Sequence, residues 1–233
     1  MAAAANLVLV PGLLCTRALW AAQLAALGDI ADMTVANHTG HDSLAGIARS
    51  ILASAPERFA LAGLSMGGYV AYEILRQAPE RVTKLALLDT GYRADAPERR
   101  EQRLALMALA EREGARKAQE SLLPVLIHQS RLADRALVEA VLQMGADTGT
   151  AAFKRQQTAL MGRPDNAALL ASIRCPTLVI VGREDVLTPP ELAQDIARGI
   201  SGARLEIIRE CGHLSTMEQP AAVNRALRSW LTD

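Results

Sequence analysis

The sharpest chemical signal in the sequence is a serine flanked by glycines, Gly63-Leu64-Ser65-Met66-Gly67. It follows a short apolar run and precedes a run with helical spacing, so Ser65 is predicted to lie on a sharp strand-to-helix turn. Such a turn needs residues without side chains two positions before and after the serine, because the backbone folds back tightly there. The adjoining helix N-terminus favours the negative charge that develops when a hydroxyl attacks a carbonyl. Ser65 is therefore the candidate nucleophile, and the alternative is an ordinary tight turn.

A serine hydroxyl is a weak nucleophile and needs a base, and the chain offers four histidines. His213 follows the last predicted strand, which places it at the same edge of a parallel sheet as Ser65 and makes it the candidate base. His128 falls in a helical stretch, where a surface or packing role is predicted. His38 and His41 suggest a metal pair, but they lack a third ligand at a recognisable spacing. A polar loop is favoured there, and no metal is expected.

A third group must orient the imidazole and stabilise its charged form. Asp185 follows another predicted strand and is the candidate acid, which gives the chain order Ser65, Asp185, His213. Asp89 is a rival, since it follows a strand and lies on the same edge of the sheet. Glu184 is adjacent but would point away if Asp185 points in.

The residues between these positions alternate between short apolar runs and helical stretches. Strands are predicted at Asn6–Val10, Thr34–Ala36, Arg58–Ala62, Val82–Leu88, Thr177–Val181 and Ala203–Ile208. Helices are predicted at Arg17–Leu27, Leu44–Ala53, Met66–Gln77, Glu191–Arg198 and Ala221–Trp230. This pattern predicts an α/β fold with a mostly parallel sheet of about six strands and helices on both faces. Residues 95–166 are almost entirely helical in pattern. We therefore expect a core of residues 1–94 and 167–233, interrupted by a helical cap of residues 95–166.

Composition excludes several classes of protein. The 233 residues are 50% hydrophobic and carry 25 basic and 25 acidic side chains, so neither a disordered chain nor a basic nucleic-acid binder is expected. The three cysteines form no C-x-x-C pair and do not predict a disulfide framework or a zinc site. The apolar start is broken by Pro11-Gly12 and predicts a buried strand rather than a signal peptide, with the alanines after Met1 as a frayed end. We expect a cytoplasmic protein that binds neither nucleic acid nor membrane.

Six motifs together resemble the α/β-hydrolase superfamily, in particular small capped esterases of the pimeloyl-carrier-protein methyl esterase and meta-cleavage-product hydrolase type. They are VLVPGLL, TGHDS, LAGLSMGGYVA, LLDTG, IVGREDVLTP and ECGHLSTMEQP, and they extend over nearly the whole chain. The resemblance implies the α/β-hydrolase fold with a helical cap and no cofactor. It also implies an oxyanion hole made by the backbone N–H groups of Leu13 and Met66. Pro11 stands where the family usually has histidine, and the antiparallel strand pair that commonly begins its sheet is missing or vestigial.

The function expected from these residues is hydrolysis of carboxylic esters through an acyl-enzyme, with a small-molecule ester as the partner. The walls of the pocket are expected to be apolar, formed by Leu13, Leu14, Met66, Leu187 and Leu214 together with cap residues, which suits short to medium acyl groups. No charged clamp is predicted, because Arg17 and Arg93 near the expected mouth are interpreted as surface charges. C–C bond hydrolases, lactonases, thioesterases, acyltransferases and perhydrolases use the same triad, and some proteins of this fold are non-catalytic small-molecule receptors. The sequence does not choose among them, nor does it give the oligomeric state.

Overall fold

The computed structural model describes residues 5–233 and is built around a six-stranded sheet in which every neighbouring pair is parallel. The strands are β1 (Ala5–Val10), β2 (Ala31–Val35), β3 (Phe59–Leu64), β4 (Val82–Leu88), β5 (Thr177–Gly182) and β6 (Arg204–Ile208), in the order β2-β1-β3-β4-β5-β6. The predicted parallel sheet is confirmed, with strand ends shifted by a few residues. The predicted frayed end at Ala2–Ala4 lies outside the described residues, and Ala5 already belongs to β1.

Alternate residues of the central strands pack into two separate cores, one on each face of the sheet. On one face Leu61 and Val179 join a cluster with α2 (Leu44–Ser54), α3 (Met66–Gln77) and α8 (Pro190–Gly199). On the other face Ala62 and Ile180 join a cluster with α1 (Ala21–Leu27) and α10 (Pro220–Thr232). Because both faces are covered, β3 and β5 are buried along their whole length and their sequences are apolar runs. The helices also confirm the predicted alternation, and Ser43 caps α2 as expected for its type.

The segment between β4 and β5 begins with three long helices, and we refer to these three together as the insertion. They are α4 (Pro97–Glu113), α5 (Ala115–Leu126) and α6 (Arg135–Met161), followed by the short α7 (Ala167–Leu170). Gly114 separates α4 from α5 with a φ of 89°, and Gly149 bends α6 with a φ of 74°, which are backbone angles that residues with side chains rarely adopt. The division of the chain into a core and a cap stays a prediction.

The segment between β6 and α10 carries one more short helix, α9 (Ser215–Glu218), directly after His213. The carboxyl ends of β1, β3, β4 and β5 and this segment meet at one edge of the sheet, next to the insertion. Among the helices of residues 5–233, none is both long and apolar enough to cross a membrane.

Candidate active site

Ser65 occupies the turn between β3 and α3 in a strained backbone conformation, with φ 54° and ψ −112°. Two hydrogen bonds from β4 and the residues after it hold this turn. The Ser65 N–H donates to the carbonyl of Leu88 (2.9 Å), and the Ser65 carbonyl accepts from Thr90 Oγ1 (2.8 Å). Strain of this kind persists only where the surroundings impose it, and it is common at functional sites.

The flanking glycines are required by close approaches of the backbone. A Cβ at Gly63 would lie 2.3 Å from the carbonyl oxygen of Gly67, and a Cβ at Gly67 would lie 2.1 Å from the carbonyl oxygen of Val10. Neither distance leaves room for any side chain. The glycine spacing therefore has the steric cause that was inferred for it from the sequence.

His213 lies between Ser65 and Asp185 and is hydrogen-bonded to both. Its Nε2 is 2.8 Å from Ser65 Oγ, and its Nδ1 is 2.7 Å from Asp185 Oδ2. Asp185 is fixed in turn, because its Oδ1 accepts the N–H groups of Leu187 (2.8 Å) and Thr188 (3.0 Å) and its Oδ2 accepts from Thr188 Oγ1 (2.7 Å). The structure thus brings together the three residues selected from the sequence, in the connectivity of a nucleophile, a base and an orienting acid.

The surroundings of Asp185 and His213 shift the pKa values of the two side chains in opposite directions. Burial raises the pKa of Asp185, but the charge and hydrogen bond of His213 and the hydrogen bonds from Thr188 outweigh it, so the pKa is held below its usual range. Burial lowers the pKa of His213, but the charge and hydrogen bond of Asp185, with the charges of Asp89 and Glu218, raise it above its usual value. The imidazole is therefore a stronger base than a free histidine, which suits it to accept the proton of a hydroxyl.

Asp89, the rival acid, lies fully buried at the same edge but makes no hydrogen bond to the His213 ring. Its carboxylate accepts the N–H of Gly182 (3.0 Å) and both the N–H (3.2 Å) and the hydroxyl of Ser215. Burial and the charge of Asp185 raise the pKa of Asp89 to about 8, against the opposing effects of His213 and these hydrogen bonds. Asp89 therefore ties the end of β5 to the segment that carries His213.

The loop of His213 is also held by Glu218, which sequence reasoning missed. Its carboxylate accepts the N–H groups of Gly212 (3.1 Å), Leu214 (3.2 Å) and His128 (2.7 Å). Glu184 does point away from Asp185 and accepts the N–H of Cys211 (2.9 Å). The bonds of Glu218 go to backbone N–H groups, which every residue except proline has. They therefore leave no pattern of residue types in the sequence, and little there indicated the role of Glu218.

The two N–H groups assigned to an oxyanion hole belong to residues that line the same cavity as Ser65. Within residues 5–233 the structure gives neither the Leu13 N–H nor the Met66 N–H a hydrogen-bond partner. The turn that carries Leu13 lies against the nucleophile, since a Cβ built on Gly12 would be 3.4 Å from Ser65 Cβ. Unpaired donors beside a nucleophile can stabilise the oxyanion of a tetrahedral intermediate.

We call Gly12–Leu14 the oxyanion turn, because it carries the Leu13 N–H assigned to the oxyanion hole. Two buried side chains, His38 and Gln156, connect this turn to the insertion. Gln156 Oε1 accepts the N–H of Leu14 (3.1 Å), and Gln156 Nε2 lies 2.9 Å from His38 Nε2. The same His38 nitrogen is 2.9 Å from the carbonyl of Gly12, and burial lowers the pKa of His38 to about 4, so its ring is neutral. His38 lies in the loop after β2, where the sequence predicts a polar loop, but its side chain is buried against the turn that contains Gly12.

A cavity of about 680 Å³ opens beside Ser65 and extends beneath the insertion. Its lining includes the predicted wall residues Leu13, Met66, Leu187 and Leu214, and the insertion contributes Leu106, Leu122, Val125 and Leu126. Leu14 is a correction to the prediction, because it is absent from the lining. Its backbone turns at φ 56°, and its side chain is wholly buried against Ala110, Ala118 and Phe153.

The expectation of entirely apolar walls is wrong. Four arginines also line the cavity, Arg93, Arg99, Arg103 and Arg163, with Asp95 the acidic side chain among the lining residues that the structure describes. Sequence reasoning placed Arg93 near the mouth but missed the other three. Arg99 and Arg103 were missed because α4 begins with the strongly charged PERREQR, a pattern typical of a solvated helix face. Arg93 agrees with the surface interpretation, since its side chain is 62% exposed. Arg17 is absent from this cavity.

The α/β-hydrolase resemblance is supported by three kinds of similarity. The family model described as "Alpha/beta hydrolase family" matches residues 7–226. A pimeloyl-[acyl-carrier protein] methyl ester esterase from Nitrosomonas europaea is 32% identical over 77% of this chain and 73% of its own length. A 2-hydroxy-6-oxononadienedioate/2-hydroxy-6-oxononatrienedioate hydrolase from Klebsiella pneumoniae is 28% identical over 73% of this chain and 61% of its own length.

The similarity extends to the solved structure of a thermophilic esterase from Thermogutta terrifontis, determined with malate bound. It superimposes with a TM-score of 0.89 and 31% sequence identity, over 98% of this chain and 89% of that one. Together with the parallel sheet and the strand-to-helix turn at Ser65, these matches show that the chain belongs to the alpha/beta hydrolase family.

Proposed function

We propose that this protein hydrolyses carboxylic esters, with Ser65, His213 and Asp185 as its catalytic triad. The observation that carries the proposal is the continuous hydrogen-bonded chain from Ser65 Oγ through the His213 ring to Asp185, with links of 2.8 and 2.7 Å, at the wall of a largely apolar cavity. A nucleophile, a base and an orienting carboxylate in this arrangement perform acyl transfer in several unrelated folds.

The geometry supports a two-step reaction. Ser65 Oγ attacks the ester carbonyl while His213 Nε2 takes its proton, and the N–H groups of Leu13 and Met66 donate to the developing oxyanion. His213 then protonates the leaving alcohol, which departs from the acyl-enzyme. A water molecule that gives one proton to His213 attacks the acyl-enzyme, and His213 returns that proton to Ser65 Oγ as the bond to the acyl group breaks and the acid leaves. Asp185 stabilises the imidazolium in both steps.

The cavity supports substrates with a short or medium apolar acyl chain. Leucine and methionine side chains line it near Ser65, and we propose that the insertion acts as a cap that limits its length. The relative from Nitrosomonas europaea and the structure from Thermogutta terrifontis are both named as esterases, which favours esters over the other reactions of this site. The C–C bond hydrolase among the relatives shows that the same family serves a second chemistry, and it makes C–C hydrolysis the second candidate.

The proposal is tested with p-nitrophenyl esters of increasing acyl length, using the wild-type protein beside Ser65→Ala. We expect multiple turnovers with the wild type. Ser65→Ala should lose nearly all of its hydrolytic activity and keep only the small residual catalysis that substrate binding and the oxyanion hole provide. Ser172→Ala is the matched control, because Ser172 is exposed and its hydroxyl bonds only the carbonyl of Leu169 (2.8 Å). Full activity of Ser65→Ala would contradict the proposal. A single turnover, with thermal stability that depends on the ligand, would favour a receptor.

A further inference from the structure

Two guanidinium groups share one carboxylate at the end of the cavity formed by α4 and the end of α6, and a third guanidinium lies in the same cavity wall. Asp95 Oδ2 is 2.6 Å from Arg103 Nε, and Asp95 Oδ1 is 2.6 Å from Arg163 Nη2. These side chains are largely removed from water, with exposures of 5% for Asp95, 12% for Arg103 and 9% for Arg163. Arg99 lines the same cavity, and within residues 5–233 the structure gives its guanidinium no hydrogen-bond or ion-pair partner. The end of the cavity thus carries more positive than negative charge.

Arg163 has a structural role in addition to its ion pair with Asp95. Its Nε donates to the carbonyl of Arg93 (2.9 Å), and its guanidinium lies over the ring of Tyr69, 4.5 Å from the centroid. Arg163 and Asp95 can therefore be counted as a neutral pair. Asp95 carries a single negative charge, so it cannot also neutralise Arg103, with which it shares a contact, or Arg99. These two arginines leave the end of the cavity with a net positive charge.

A buried hydrogen-bond donor points to the same conclusion independently. Gln157 is fully buried and lines the cavity, and its Oε1 accepts from Arg103 Nη1 (2.7 Å). Because that bond fixes the oxygen, the other terminal atom must be the NH₂ group. Among the described residues this Nε2 has no hydrogen-bond partner. A buried donor without an acceptor is unfavourable unless a ligand supplies one.

A salt-bridge network that only fastens the insertion would account for Asp95, Arg103 and Arg163. It would not account for an unpaired Arg99 in the cavity wall, or for the unused donor of Gln157. Both features are satisfied by an anionic acceptor, and a carboxylate matches the planar fork of a guanidinium. The remaining walls are mainly apolar and suit the chain that joins such a carboxylate to the ester.

We propose that the substrate is an ester whose acyl chain ends in a free carboxylate, held by Arg99, Arg103 and Gln157 Nε2 while the ester carbonyl lies at Ser65. This inference rests on the proposed esterase function and names its substrate class, the half-esters of dicarboxylic acids. The arginine end of the cavity sets the preferred chain length, and the apolar walls carry the methylene groups between the two ends.

The test compares monomethyl esters of C4 to C8 dicarboxylic acids with methyl esters of the monocarboxylic acids of equal length, followed by methanol release. We expect kcat/KM of the wild type to favour the half-ester by about tenfold or more at the best length, since a hydrogen bond to a charged group contributes on that order. Arg99→Gln should lower the ratio of half-ester to neutral ester about tenfold. Salt at 0.5 M should also lower the ratio, because Arg99 is only partly buried.

Arg100→Gln is the matched control, because Arg100 is the next residue of α4, is exposed and is absent from the cavity lining. It should leave the ratio at its wild-type value. A wild-type ratio near one, or an equal loss on both substrates in Arg99→Gln, would overturn the inference while leaving the esterase function standing.

A binding measurement separates this inference from the proposed function. Ser65→Ala should bind monomethyl adipate more tightly than methyl hexanoate in calorimetry, and adding Arg99→Gln should remove most of that difference. If no ester is turned over but the preference in binding is present, the esterase proposal fails and the carboxylate site stands. Equal binding of the two esters would refute the carboxylate site whatever the turnover.

Discussion

At the scale of single residues, the proposed mechanism makes activity depend on the protonation state of His213. Only a neutral imidazole can take the proton of Ser65, and the pKa of His213 is raised because Asp185, Asp89 and Glu218 outweigh the effect of its burial. A raised pKa means that the ring is already protonated at a pH where a free histidine would still be neutral. Activity should therefore be lost as pH falls, starting from a higher pH than for a free histidine.

This pKa predicts how kcat/KM falls on the acid side of its pH profile, which we call the acid limb. We expect kcat/KM to decline about tenfold per pH unit on this limb, with a midpoint above 6.5, the usual value for histidine. The measurement is kcat/KM for a neutral ester between pH 5 and 9 at constant ionic strength. A midpoint clearly below 6.5 would mean that burial, rather than the carboxylates, dominates the pKa of His213.

Asp185→Asn tests the acid. The amide keeps the size of the side chain but removes the charge that stabilises the imidazolium, so we expect kcat to fall roughly 10²–10⁴-fold. The midpoint of the acid limb should move to lower pH, because the largest influence that raises the pKa of His213 is gone. Circular dichroism would check that the variant is folded.

Asp89→Asn is the comparison for this variant, since Asp89 is a buried carboxylate at the same edge that bonds Ser215 and Gly182 instead of the His213 ring. Its loss should affect kcat less than Asp185→Asn does. If Asp89→Asn is the crippling change and Asp185→Asn is mild, the acid has been assigned to the wrong strand end.

At the scale of elements, the oxyanion turn after β1 depends on helix α6. The Leu14 N–H bonds Gln156 Oε1 across 142 positions of sequence, and His38 from the loop after β2 lies against both Gly12 and Gln156. The turn is thereby held from the insertion as well as from the sheet. Leu13, whose N–H is assigned to the oxyanion, lies between the two tethered residues.

Gln156→Leu tests this connection. It leaves the Leu14 N–H buried without an acceptor, which should cost about 1–3 kcal/mol of stability. If Gln156 positions the turn, kcat should also fall about tenfold with little change in KM, because the oxyanion donor acts in the transition state. Gln143→Leu on the same helix is the control, since Gln143 is exposed and bonds only Asp147 (2.7 Å). A lower melting temperature with an unchanged kcat would reduce Gln156 to a structural role.

The elements were predictable where their causes are local. Helix α3 begins and ends at the predicted residues because a glycine turn opens it and Pro79 follows its end. Contacts over long sequence distances were not predictable, and Gln156 and Glu218 belong to this group. The choice between Asp89 and Asp185 also depends on how each loop leaves its strand, since both residues follow a strand at the same edge.

At the scale of the whole molecule, we expect the cavity between the sheet edge and the insertion to select the substrates that reach Ser65. Arg99 and Arg103 escaped the sequence analysis because a charged stretch of helix has the same pattern whether it faces water or a cavity. Its apolar residues were partly identified, since leucines beside Ser65 and His213 must line whatever space opens there. Leu14 was the exception, because its positive φ could not be read from the residue type.

The volume of the cavity predicts a limited range of acyl lengths. Each buried methylene contributes about 0.8 kcal/mol, so kcat/KM of neutral p-nitrophenyl esters should rise at most about fourfold per carbon. A cavity of about 680 Å³ should end this rise at short to medium chains, from acetyl to roughly octanoyl. Activity that keeps rising through palmitoyl esters would show that the insertion does not close the cavity.

The central claim is that Ser65 is an activated nucleophile, and covalent labelling tests it most directly. A fluorophosphonate probe should attach to one residue, and mass spectrometry of the digested protein should place the label on Ser65. Labelling should disappear in Ser65→Ala and weaken in His213→Ala, because the hydroxyl loses the base that lies 2.8 Å away. Labelling of another residue, together with an undiminished esterase rate in Ser65→Ala, would contradict the account.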